Sequence, residues 1–122
     1  MAISIVRLGS RRGKAEGPRL GTVRRPPRGV KKLDYAKFDY YDAWLPDLAP
    51  SAKLIKTAHV DWQRFAKRYR QEMREQEHLL ALLALLSKES NFAVGCYCED
   101  ESRCHRSILR HILEDHGARV AK

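Results

Sequence analysis

The sequence predicts an α/β fold, a single-domain Rossmann-like sheet, mostly parallel, with flanking helices. Three observations lead there. The chain opens on the β-branched run Ile3-Ser4-Ile5-Val6. A second apolar run, Phe92-Ala93-Val94-Gly95-Cys96-Tyr97-Cys98, has the length of a buried central strand, and a long amphipathic stretch lies between the two. At 122 residues the chain suits one domain, residues 1–122, long enough for a real core and too short for two.

Gly9 ends the first strand, and residues 9–17, punctuated by glycine and basic side chains, read as a mobile basic loop. Leu20 to Val23 resumes as a strand before Pro26-Pro27, which offer a ladder no donor and restrict the residue ahead of them. From Leu33 to Leu48, four tyrosines or phenylalanines, Trp44 and four aspartates follow no clean period, which predicts irregular structure with a short helical turn and core-closing aromatics. Ser51, after Pro50, is the N-cap of a short helix that buries Leu54, Ile55 and Ala58. Asp61 opens a longer helical run. There Trp62, Phe65, Tyr69 and Met73, then Leu79, Leu80, Leu83 and Leu86, form a core-facing stripe opposite Lys67, Arg70, Arg74 and Glu75. Packing against a sheet suits this stripe better than a coiled coil, because its period holds only briefly. After the strand at 92–98, an acidic loop leads to Ser102 or a neighbour as cap of the last helix. That helix buries Ile108, Leu109, Ile112 and Leu113, and Gly117 stops it.

Lys and Arg number 24 against 15 Asp and Glu, and the excess is local: residues 1–32 carry ten basic side chains and one acid, Glu16. Such a field attracts phosphates, nucleic acid or anionic metabolites. Arg24, Arg25 and Arg28 are set among Pro26, Pro27 and Gly29 on a shaped loop, and the planar fork of arginine suits phosphate or carboxylate. Residues 7–32 contain no aromatic side chain, so they lack the interleaving of a single-strand stacking platform. No apolar run approaches the roughly 18 to 20 residues that cross a bilayer. With an odd count of three cysteines and no secretory leader, a cytoplasmic location without membrane partners is expected.

All three cysteines fall in the segment Cys96 to Arg106, where the strand hands over to the last helix. Cys96, Cys98, Cys104 and His105 are zinc-type ligands, but structural zinc favours separated pairs on tight turns, and this spacing argues against a metal. A Cys96–Cys98 disulfide is disfavoured on an extended strand, where the α-carbons lie about 6.6 Å apart. A thiolate at Cys98 or Cys104 is the chemical alternative, since a helix N-terminus beside Arg103, His105 and Arg106 lowers a thiol pKa. Counted from Cys98, the phosphatase loop, with arginine six residues after cysteine, is not met, because Arg103 comes after five, and the acidic triplet Glu99-Asp100-Glu101 opposes phosphate there. Cys96 reads as a small core residue. His111 and His116 read as solvated or capping, and His59 and His78 carry no argument.

Arg24 with Pro27-Arg28-Gly29 and Lys31-Lys32, then Trp44, Pro50-Ser51 with Leu54, and Trp62, Phe65, Tyr69 and Glu72, resemble the short YeaO-like members of the DUF488 family. Cys98-Glu99 followed by Cys104-His105-Arg106-Ser107 is similar to that family's other hallmark. The chain departs from the short-member pattern at Val23, Pro26 and Ile55, where aspartate, tryptophan and arginine are usual. The resemblance covers most of the chain. It implies a Rossmann-like domain whose arginine loop and Cys-His-Arg cassette form one site, and it implies no established reaction.

The expected partner is therefore an anionic, phosphate-bearing small molecule or nucleotide, held in a crevice by Arg24, Arg28, Glu99 and Arg106. A thiol-dependent enzyme would instead use Cys98 or Cys104, with His105 as proton partner. Electrostatic nucleic-acid binding through residues 7–32 is a third reading. Neither a cofactor nor a metal is expected.

Overall fold

The computed structural model describes residues 1–58, 60–99 and 104–122. Four strands form one sheet: β1 (Ile3–Arg7), β2 (Arg19–Gly21), β3 (Ala43–Trp44) and β4 (Phe92–Cys96), in the order β1-β4-β2-β3. All three pairings are parallel. The α/β reading holds, and β4 is central, with all five residues buried between β1 and β2. Gly95 is required there, because a Cβ would stand 2.7 Å from a Leu8 methyl and 2.8 Å from the Val6 carbonyl.

The helices are α1 (Ala52–Ile55), α2 (Trp62–Met73), α3 (Glu77–Glu89) and α4 (His105–Asp115). The Ser51 and Asp61 side chains cap α1 and α2 by accepting from the amides of Leu54 and Arg64. Gly117, with φ of 86°, follows α4 in the left-handed conformation that commonly ends a helix. The cap at Ser102 lies outside the described residues, and Cys104 occupies the N-cap position of α4 without a side-chain bond to the helix amides. Ile3, Phe65, Tyr69, Leu80, Val94 and Leu109 are central to the main core, which joins the sheet to α2, α3 and α4.

Several elements differ in detail from expectation, beginning with β2, which spans Arg19–Gly21 rather than Leu20 to Val23, and β4, which ends at Cys96 rather than Cys98. The long helical run is interrupted by a 3₁₀ turn at Arg74–Gln76, which divides it into α2 and α3. In α3 the inner positions are Leu80, Leu83, Ala84 and Ser87, at i, i+3, i+4 and i+7. Leu86, expected in the stripe, falls off that face and is exposed. Ile55, expected to be buried, is also exposed, because the four residues of α1 turn only Leu54 inward. Between residues 33 and 48, two 3₁₀ turns flank the two-residue strand β3.

The basic loop 9–17 is laced to the body by Arg19, whose side chain is fully buried. Its Nε meets a Glu16 carboxylate oxygen at 2.6 Å, and its other nitrogens donate to the carbonyls of Ser10, Arg11 and Asp39. Arg12 pairs with Asp39 and Asp42. No helix among the described residues is long and apolar enough to cross a membrane.

Candidate functional site

A cavity of about 410 Å³ opens at the carboxyl ends of β2 and β4, where α/β sheets place ligands. Val23, Arg24 and Arg25 line it from the segment after β2, and Cys96, Tyr97 and Cys98 from the end of β4 and just beyond. Cys104 and His105 contribute the start of α4, while Ile55, Lys56 and Phe65 come from α1, the residue after it and α2. Most of its wall is apolar, and the cations Arg24, Arg25 and Lys56 stand along it.

Several residues of the family resemblance line this wall, and others brace it from behind. Glu72 of α2 receives both the Ser51 amide, at 2.9 Å, and the Ser51 hydroxyl, at 2.6 Å, which clamps α1 to α2. The Tyr69 hydroxyl donates to the Leu48 carbonyl and the Trp44 indole to the Val23 carbonyl, fixing the chain on either side of the cavity. Arg24 itself is braced, with Nε and Nη2 donating to the Pro50 and Ala49 carbonyls.

At the cavity floor, alternation along an extended chain turns Cys96 and Cys98 to the same side, and their sulfurs lie 3.6 Å apart. α4 begins against them. Cys104 Sγ lies 3.7 Å from His105 Nδ1, and the ligand atoms of Cys96, Cys104 and His105 all fall within 4.8 Å of one another. These three residues are buried, whereas Cys98 is exposed. The His105 ring is held from behind, since Nε2 sits 2.8 Å from the Thr22 carbonyl. A carbonyl can only accept, so Nε2 carries a proton, and in the neutral ring Nδ1 presents its lone pair to the sulfurs.

Hydrogen bonding orders the thiols. Donation from Cys104 and Cys96, aided by the Arg106 charge, outweighs burial and holds the Cys98 thiol down to about 3. Cys96, as donor to Cys104 and Cys98 and by burial, is pushed far above the ordinary thiol range. Cys104 is lowered chiefly by the Cys96 hydrogen bond.

The expected site is thus partly assembled. Arg24, Cys98, Cys104 and His105 share the cavity, and Cys96, expected to be core alone, is buried yet lines it. Arg28 does not line it. Beyond Pro26-Pro27 it joins Arg25, Tyr40 and Tyr97 around a separate hollow of about 560 Å³. Arg106 is buried behind the cassette, donating to the Cys98 carbonyl at 2.6 Å, and so shapes the end of β4. Glu99 is exposed and pairs with Arg7 at 3.5 Å. Asp100, Glu101 and Arg103 lie outside the described residues. Thr22, Lys56 and Tyr97 were missed. Their roles depend on the return of distant segments, and nothing local in the sequence marks them.

Residues 3–117 match the model of DUF488-N3a, described as the active DUF488-N3 subclade. Over 99 residues the chain is 28% identical to the uncharacterized protein YeaO of Escherichia coli (strain K12), covering 79% of this chain and 83% of that one. No solved structure matches.

Proposed function

The chain belongs to the DUF488 family, through its DUF488-N3a subclade, and from that premise we propose that it binds a small anionic ligand of nucleotide size in the cavity between β2 and β4. One observation carries the reading: arginine and lysine side chains and the thiol-imidazole cluster line a single, mostly apolar cavity. Its volume of about 410 Å³ falls in the range of small-molecule sites. A ligand with a ring or other apolar body would pack between Val23, Ile55 and Phe65, while its phosphate or carboxylate would meet Arg24, Arg25 and Lys56.

Calorimetric titration with a panel of nucleoside monophosphates and their parent nucleosides tests this. At least one monophosphate should bind about tenfold or more tightly than its nucleoside, and Arg25→Ala should remove most of that difference. Equal affinity of both classes, or no binding by either, would overturn the reading. Affinity that instead rises with oligonucleotide length and falls steeply with salt would favour the nucleic-acid interface, for which Arg25, Arg28, Tyr40 and Tyr97 supply cations beside aromatic rings.

The exposure of Cys98 at the cavity wall favours thiol chemistry as the second reading, with the description of the matching subclade as active in its support. In metal-free protein a mild alkylating agent should label Cys98 first and Cys96 last. Uniform slow labelling would count against it.

A further inference from the structure

Sequence spacing argued against a metal at the three cysteines, but the fold brings the ligand atoms of Cys96, Cys104 and His105 within 4.8 Å of one another. We infer that Cys96, Cys98, Cys104 and His105 form a binding site for one divalent zinc-type ion at the cavity floor. This goes beyond the ligand reading and rests on separate observations.

The first is distance. Zinc bonds of about 2.3 Å to sulfur and about 2.0–2.1 Å to nitrogen, spread tetrahedrally, place sulfurs about 3.8 Å apart and sulfur about 3.6 Å from nitrogen. Here the Cys96–Cys98 sulfur pair is 3.6 Å apart and Cys104 Sγ is 3.7 Å from His105 Nδ1. Cys96, Cys104 and His105 thus stand within 4.8 Å of one another as three corners of the site, while Cys98 is close to Cys96 and must draw nearer to the trio to supply the fourth.

The second is the histidine. Its Nε2 proton is fixed on the Thr22 carbonyl, which leaves Nδ1, 3.7 Å from Cys104 Sγ, to present its lone pair to the sulfurs. Metal-binding histidines are commonly held this way, with the distal ring nitrogen on a carbonyl or carboxylate.

The third is position. Cys96, Cys104 and His105 are 7%, 2% and 5% exposed, so these ligands are withdrawn from water, and Cys98, outside that trio but with its sulfur 3.6 Å from that of Cys96, lies on the cavity side from which a fourth ligand would enter. Thiolate and imidazole together are the donor set of zinc rather than of magnesium or calcium, which take oxygen.

Protein prepared without chelator or added metal, and stripped of loosely held ions by gel filtration, should contain near-stoichiometric zinc. Cobalt(II) added to the stripped wild-type chain should give thiolate-to-cobalt charge-transfer absorption in the near ultraviolet and the intense visible bands of a tetrahedral site. Cys104→Ser or His105→Ala should lower zinc affinity by about 100-fold or more, Cys98→Ser should weaken it, and His116→Ala should leave it unchanged. Because a variant at a buried ligand can misfold, the wild-type cobalt spectrum decides independently. Absence of charge-transfer absorption at saturating cobalt, or loss of zinc to well below one per chain after gel filtration, would overturn the site.

Discussion

Arg19 contributes nothing to the cavity, yet a single substitution there should be among the most damaging in the molecule. Its guanidinium faces the Glu16 carboxylate with the two side chains only 1% and 8% exposed, so its removal strands a buried charge. Arg19→Met should cost about 3–5 kcal/mol in denaturant-derived stability, and Arg19→Met with Glu16→Leu should recover part of that loss, leaving the unmet carbonyls of Ser10, Arg11 and Asp39 as the remainder. A double variant no better than the single one would place the cost in those carbonyls instead. Gly95→Ala should cost about 1–3 kcal/mol, read as a lowered denaturation midpoint, because its Cβ collides with a carbonyl as well as a methyl. Individual residues were unevenly legible. Cys98 and Cys104-His105 stood out by chemical type, but their meeting depends on how α4 returns to β4. Arg24 and Arg28 looked like one patch because only the folded course of Pro26-Pro27 sends them to different hollows.

At the level of elements, α1 is too short to be stable alone and is held by its cap. Ser51 accepts from the Leu54 amide and donates to Glu72, so Ser51→Ala removes a cap and a charge-assisted hydrogen bond together. A loss of about 2 kcal/mol is expected, seen as a lower urea midpoint with unchanged slope. Since α1 walls the cavity, the same variant should also weaken nucleotide binding by calorimetry. The caps at Ser51 and Asp61, the stripe Trp62-Phe65-Tyr69-Met73 and the all-buried β4 were legible because each is written in local spacing. β3 was not, since two residues carry no period. Nor was the 3₁₀ turn at Arg74–Gln76, whose side chains are all ordinary helix formers, whereas Leu86 was misplaced within α3 itself, where the face of Leu80 and Leu83 continues through the small residues Ala84 and Ser87.

Over the whole molecule, the concentrated positive charge of the first quarter is partly neutralised by folding. Arg12 meets Asp39 and Asp42, Arg19 meets Glu16 and Arg7 meets Glu99, so three of the ten basic side chains are paired, while Arg25 and Arg28 are among those outside these pairs. Burial raises Glu16 and Asp42, but hydrogen bonds and charge from Arg19 and Arg12 respectively outweigh it, so both carboxyls lie below their ordinary values. Their folded pKa values being depressed, the stability they contribute is fully present above about pH 4–5 and is lost as pH falls through the folded values. Denaturant titrations from neutral to acid pH should show that decline, and Arg12→Ala should flatten it by releasing Asp42. The strand order has a further consequence, for the time course of folding. β4 lies between β1 and β2, although some 70 residues of chain separate β2 from it. On a growing polypeptide, β1 and β2 must therefore wait with open flanks until the last quarter emerges and inserts between them. The same insertion delivers Cys96 and Cys98, so the cavity comes into being only as the sheet closes, and a nascent chain can engage neither ligand nor metal there prematurely.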